Sequence, residues 1–273
     1  MEDADATDRK TGADGRILAI RTGAIGMLGI NNPERRNALS LDMWQAAAET
    51  VEAFAKDEAV RVLVVFGAGG KAFASGADIS KFEEERTGAD AVRHYQQVSG
   101  RLYEGLESFP KPTIAQVSGY CIGGGLALAL CCDMRFCAED ARFGVPAARL
   151  GIGYRPASQK RLFDLVGPGY GSEMMFTARQ FDAAEAARMG LVNRVLPTDK
   201  LEQFVADQAG WIAENAPQSL ATAKAVGIAI AKGRVAAETE ALRGMTERCY
   251  ASEDYSEGKA AFAEKRKPKF TGR

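Results

Sequence analysis

Imidazole is almost absent from this chain: its 273 residues contain one histidine, His94. A His-rich metal site is thereby excluded, and a Ser-His-Asp triad would have only His94 to use. Cysteine spacing of the zinc type is missing as well. Cys121, Cys131, Cys132, Cys137 and Cys249 are odd in number and form no CxxC pair, so they fit neither a metal cage nor a secreted disulfide framework. No metal is expected, and four of the five cysteines, in apolar surroundings, read as packing residues. Excess charge of either sign is lacking, with 35 Lys and Arg against 36 Asp and Glu. A nucleic-acid partner is therefore not the expectation. The longest small and apolar stretch, Cys121 to Cys132, is broken by three glycines and is about 12 residues long, where a membrane helix needs about 20. The first 15 residues have no apolar core and do not read as a signal peptide. The expectation is a soluble, cytoplasmic protein with no membrane partner.

What is present is ordinary globular composition, 46% hydrophobic and 26% charged. Residues 1–15 hold five acids and two bases and read as a frayed, disordered acidic tail. Strand-like runs follow at 16–20 and 25–30, then a helix over 41–55 with Ser40 at its N-cap. A buried strand at 61–66 ends in a Gly-rich loop, and a helix over 89–108 is stopped by Pro110 and Pro112. A strand at 113–117, a tight turn and an apolar, buried helix at 126–132 come next. Strands at 133–138 and 141–144 and a helix over 157–166 continue the alternation, which argues for an α/β fold with mostly parallel pairing. Beyond Pro197 the pattern predicts helices only, over 201–214, 218–232, 235–249 and 252–263. The division expected is a core over 16–196 and a helical region over 197–273. The last 15 residues carry six bases and one acid, a net of +5, and read either as a solubilising end or as a clamp for phosphate.

Two Gly-rich turns follow strands. Gly67-x-Gly69-x-x-Ala72 mimics a dinucleotide fingerprint, but no helix opens within it and Gly76 interrupts any early one, so a nicotinamide-dependent dehydrogenase is a remote reading. Lys71 is not followed by Ser or Thr, and the P-loop pattern fails too. The second turn, Gly119-Tyr-Cys-Ile-Gly-Gly-Gly125, runs straight into a helix. Glycines let backbone approach a ligand closely, and the first N–H groups of a helix lack internal partners. This turn reads either as a site for a negative oxygen or as a device for tight packing of a buried helix.

Taken in order, the motifs resemble one family. They are Asn31-Asn-Pro-x-x-x-Asn-Ala-Leu39, Ala72-Phe-Ala-Ser-Gly-Ala-Asp-Ile79, Lys111-Pro-Thr-Ile-Ala-Gln-Val-Ser-Gly-Tyr-Cys-Ile-Gly-Gly-Gly125, Cys132-Asp133, Ala141-Arg-Phe-Gly144, Ala187-x-x-Gly-Leu-Val192 and a final Phe262-Ala-Glu-Lys-Arg-Lys-Pro-Lys-Phe270. The chain resembles the crotonase, or enoyl-CoA hydratase/isomerase, family over residues 16–270. The resemblance implies an α/β spiral of repeated ββα units and a C-terminal helical trimerisation region, assembled as a homotrimer or a dimer of trimers. It implies an acyl-CoA substrate, with coenzyme A as part of the thioester and no permanently bound cofactor. It assigns the thioester oxygen to the backbone N–H groups of Ala77 and Gly124, and coenzyme A contacts to Arg36, Ala38 and the loop from Ala74 through Asp78 to Ile79. Phe262 and Lys265 take the positions from which the family reaches a neighbouring subunit's ligand; helix packing is the alternative for Phe262.

The sequence departs from the pattern at the family's two glutamates, where it has Ala127 and Ala147, in the family's own spacing. Alanine neither accepts nor donates a proton, and such help is worth about 10²–10⁴-fold in rate. Tyr154 is a candidate proton donor and Arg155 a candidate carboxylate binder, each with loop packing or surface charge as its alternative. His94 and Glu83, Glu84 and Glu85 read as solvated, and Asp78 as a brace of its own loop. The sequence leads to an acyl-CoA enzyme that stabilises an enolate or oxyanion, with decarboxylation, hydrolysis or isomerisation open. The alternative is a non-catalytic acyl-CoA binder or partner subunit.

Overall fold

The computed structural model describes residues 7–78, 81 and 87–273. Its strands are β1 Thr7–Gly12, β2 Ile17–Thr22, β3 Ile25–Ile30, β4 Val62–Gly67, β5 Ala72–Ala74, β6 Thr113–Val117, β7 Tyr120–Ile122, β8 Met134–Ala138, β9 Arg142–Gly144, β10 Phe181–Asp182 and β11 Arg194–Leu196. The helices are α1 Leu41–Lys56, α2 Ala89–Glu107, α3 Gly124–Leu130, α4 Pro156–Thr177, α5 Ala183–Arg188, α6 Leu201–Ala213, α7 Pro217–Ala231, α8 Val235–Ala251 and α9 Glu253–Ala263.

One sheet has the order β1-β2-β3-β4-β6-β8-β11 and a second the order β10-β9-β7-β5. Each winding of the chain delivers one strand to each sheet: β4 then β5, β6 then β7, β8 then β9. From β3 to β11 the large sheet is parallel, and β5, β7 and β9 are parallel in the small one. This is the α/β spiral of ββα units that the sequence leads to. A parallel strand must be covered on both faces, and β4 is apolar at every core position for that reason. Leu63 and Val65 face the main core with Trp44 and Val51 of α1, while Val62 and Val64 face Leu201, Val205 and Ala209 of α6.

The acidic tail requires a correction. Thr7–Gly12 is not frayed but pairs antiparallel with β2, from Thr7 opposite Thr22 to Gly12 opposite Ile17. A hairpin edge needs only backbone partners and a suitable turn, and Ala13, Asp14 and Gly15 make that turn with φ of 48°, 55° and 82°. Asp8, Arg9 and Lys10, part of the charge that suggests a solvated tail, decorate an exposed sheet edge, where charge discourages further pairing. Ser40 occupies the N-cap of α1 without donating or accepting a cap bond; its hydroxyl bonds Asp42 and accepts from Arg16 instead. The helix from Pro156 does not stop at Val166 but resumes through a kink at Gly167 (φ 75°) and Pro168.

Asn37 and Asp133, both within the quoted motifs, act as braces. Asn37 is fully buried with φ 55°; its Nδ2 donates to the carbonyls of Ala72 (2.6 Å) and Ala68 (3.0 Å), and its Oδ1 accepts from Asn32 N (2.8 Å). It ties the 31–39 loop to the start of β5. Asp133 accepts from Thr113 N and Oγ1 and from Lys224 Nζ (2.7 Å), which fastens α7 to the large sheet.

Replacing Asn37 with Ala leaves two carbonyls and one N–H short of a partner and removes a side chain that tolerates left-handed backbone better than alanine does. The expected loss is about 3 kcal/mol. Urea unfolding should show a lower midpoint with an unchanged slope.

Candidate active site

Three loops leave the same end of the small sheet because β5, β7 and β9 run parallel, side by side. In open parallel sheets ligands bind beyond the carboxyl ends of the strands. Here those loops, with α1, α2 and the segment before α4, enclose a cavity of about 630 Å³. Its walls include Ser75 and Ala77 after β5, Gly123, Gly124 and Ala127 after β7, and Val145 to Ala147 after β9. Trp44 of α1 and Tyr95, Ser99 and Tyr103 of α2 form the aromatic side. Trp44 lies 6.5 Å from Tyr95 and 5.3 Å from Tyr103, centroid to centroid.

The structure brings Ala77 and Gly124 to this one cavity. Ala77 forms a parallel bridge with Leu39 in which Leu39 N donates to Gly76 O (2.8 Å) and Asp78 N donates to Leu39 O (3.0 Å). Its neighbours make both bonds, so the Ala77 N–H points away from Leu39 and has no hydrogen-bond partner among the described residues. Gly124 is the first residue of α3, where an N–H has no intrahelical acceptor. The two turns touch: a Cβ built on Gly76 would stand 2.8 Å from Gly124 N. Gly76 also has φ 89°, a conformation that favours glycine. Two N–H donors without acceptors among the described residues, beside one enclosed space, can stabilise a negative oxygen.

Tyr154 meets this turn from the other side. Its hydroxyl donates to Gly123 O at 3.0 Å, and Tyr103 Oη donates to Gly124 O at 3.2 Å. Burial is the main cause that pushes both phenols well above their ordinary pKa, so both stay protonated. Arg155 is committed to α2: Nη2 donates to Glu104 Oε1 (2.7 Å), the guanidinium carbon lies 5.5 Å from the Tyr103 ring centre, and Nη1 packs over Gly100. Arg155 Nη1 and Trp44 Nε1 are buried without hydrogen-bond partners among the described residues. Covered in this way, the Arg155 nitrogen does not present the open fork that a carboxylate would need.

Ala127 and Ala147 both line the cavity, 2% and 6% exposed, and no Asp, Glu or His is among the described lining residues. His94 is exposed on α2. Glu83, Glu84, Glu85 and Ile79 lie outside the described residues. Arg36 is exposed with its guanidinium 4.7 Å from the Tyr120 ring centre, and Arg36 O accepts from Ser75 N (3.1 Å). Ala38 and Ala74 are buried, and the Asp78 carboxylate meets Arg35 Nη1 at 3.4 Å. Phe262 is 88% exposed on α9 and lines a separate groove with Tyr250, Tyr255 and Phe270; neither it nor Lys265 reaches its own chain's cavity. Trp44, Tyr95, Ser99, Tyr103 and Gly76 escaped the sequence reading. The i, i+4, i+8 spacing of Tyr95, Ser99 and Tyr103 was the available signal, since it places them on one helix face.

The enoyl-CoA hydratase/isomerase family model matches residues 21–273. A curated crotonyl-CoA hydratase from Syntrophomonas wolfei is 35% identical over 93% of this chain and 97% of its own length. The 2,3-dehydroadipyl-CoA hydratase of Escherichia coli is 32% identical over 94% of this chain and 99% of its own. Among solved structures, an enoyl-CoA hydratase/carnithine racemase from Magnetospirillum magneticum superposes with a TM-score of 0.89 at 37% identity, covering 96% of this chain and 97% of that one. A family protein from Hyphomonas neptunium gives 0.90 at 35% identity, covering 94% and 98%. With its spiral fold, its cavity and these likenesses, the chain belongs to the enoyl-CoA hydratase/isomerase family of acyl-CoA enzymes.

Proposed function

We propose that the cavity takes the acyl group of a coenzyme A thioester with its carbonyl oxygen between the N–H groups of Ala77 and Gly124. The observation that carries this reading is the contact of the Gly76 turn with Gly124 N, beside two N–H groups without acceptors among the described residues. As an enolate or tetrahedral intermediate forms, charge grows on that oxygen, and one such donor is worth about 3–4 kcal/mol. The aromatic side of the cavity excludes water, which strengthens the interaction. Arg36, Ala38 and the loop Ala74, Asp78 and Ile79 hold the coenzyme A portion. In a homotrimer or a dimer of trimers, Phe262 and Lys265 extend toward a neighbour's ligand.

Relatives are named hydratases, which makes hydration the competing reading. Hydration needs a group to take a proton from water and another to deliver one to carbon. Ala127 and Ala147 supply neither, and no carboxylate stands among the described lining residues. The Tyr154 hydroxyl is engaged as a hydrogen-bond donor to Gly123 O. The chemistry that fits is one in which stabilising the oxyanion is most of the work: decarboxylation of a malonyl-type thioester, or thioester hydrolysis by water from the open side. The absence of a lining carboxylate equally favours an acyl-CoA binder without chemistry, recognised by saturable binding with no product.

Crotonyl-CoA hydration, followed by loss of the enoyl absorbance, should run about 10²–10⁴-fold below a two-glutamate hydratase. The double variant A127E/A147E should gain at least about 10²-fold. Wild-type turnover on the order of 10² per second would refute the reading of the two alanines. Gly76→Ala pushes a β-carbon against Gly124 N. It should weaken binding of acetoacetyl-CoA, an enolisable probe, by about 10²-fold in calorimetry, the effect of one lost donor.

A further inference from the structure

We propose that Tyr154 is a positioning residue for the oxyanion donor: its hydroxyl sets the plane of the Gly123–Gly124 peptide and polarises that peptide's N–H. The inference rests on the acyl-thioester reading above and assigns Tyr154 a role different from that of a proton donor to substrate.

The argument is one of connectivity. Gly123 C=O and Gly124 N–H belong to one planar unit, and the chain has no cis peptide bond among the described residues. The two groups therefore point in opposite directions, and whatever holds the oxygen aims the hydrogen. Gly123 O accepts from Ala127 N at 3.0 Å and from Tyr154 Oη at 3.0 Å, which fills both of its lone pairs. Glycine on each side of the peptide removes the side chains that would otherwise restrict its rotation, and Gly123 sits at φ 56°, ψ −117°. Beside the backbone bond from Ala127 N, Tyr154 is the only side chain among the described residues that bonds this carbonyl. A hydrogen bond to the carbonyl also strengthens the N–H at the other end of the same amide.

Tyr103 is placed differently. It bonds Gly124 O, which belongs to the next peptide, whose N–H is that of Gly125. It anchors the start of α3 without acting on the donor N–H. Tyr154 in turn is kept in place by its neighbour, since Arg155 is fastened to Glu104 and packs over the Tyr103 ring. Burial keeps the Tyr154 phenol neutral, so it remains a donor throughout the ordinary pH range.

The test reads the polarisation of a bound carbonyl. The probe is the ketone analogue of butyryl-CoA in which a methylene replaces the thioester sulfur, so that hydrolysis cannot consume it. Its isotope-edited carbonyl stretch is measured at saturation, which removes affinity from the comparison. Wild-type protein should lower the stretching frequency. Tyr154→Phe should shrink that shift by roughly 10–30%, the contribution of one cooperative bond, or more where the peptide also rotates. A fluorinated tyrosine introduced at position 154, a stronger donor of the same shape, should enlarge it. Equal shifts in wild type and both variants would overturn the role of Tyr154. If Tyr154→Phe does not fold, the fluorinated protein decides, and an unaltered shift there overturns the inference. Saturable binding with no shift in wild type would overturn the donor pair itself, and this inference with it.

Discussion

Two backbone turns meet in this molecule at a distance that a methyl group would forbid. The Gly76 turn and the Gly123–Gly124 turn press together so closely that a β-carbon on Gly76 would fall 2.8 Å from Gly124 N. Everything the cavity can do follows from that contact. It sets two N–H groups, one left over from a bridge and one from a helix start, beside the same enclosed space. Because the donors are backbone, they are in place before any ligand arrives and do not reorganise as charge develops.

The spiral is the means of bringing the turns together. Each winding places a strand in the small sheet, and parallel neighbours there expose their following loops at one end. Ala77 lies beyond β5 and Gly124 beyond β7, and β5 pairs directly with β7. Asn37 then secures the approach from outside by bonding the carbonyl that opens β5. The same logic carries Ala147, beyond β9, into the cavity. Ala127, beyond β7, lines the same cavity.

Removing carboxylates from such a site changes its electrostatics in one direction. With no lining anion among the described residues, nothing competes with a substrate oxygen for the two N–H donors. The aromatic wall of Trp44, Tyr95 and Tyr103 lowers the local dielectric and raises the worth of each donor. The site therefore favours negative charge on a bound carbonyl and offers little to move a proton. Tyr154 keeps its proton and directs it at Gly123 O.

The sequence by itself determined the family and the spiral, because ordered motifs such as Ser75-Gly-Ala-Asp78 and Gly123-Gly-Gly125 need particular residues at particular places along the chain. Local patterns also carried the C-terminal helices to within two residues at either end, apolar spacing being enough to define them. The β1 hairpin was hidden, since an edge strand is held by backbone bonds that leave no hydrophobic trace. Only the tertiary structure decided what Tyr154 and Arg155 touch. Side-chain chemistry alone made one an acid and the other an anion binder; packing gave the first a peptide carbonyl and the second a glutamate and a ring. Partners distant in sequence set those roles, and no pattern along the chain encodes a distance across it.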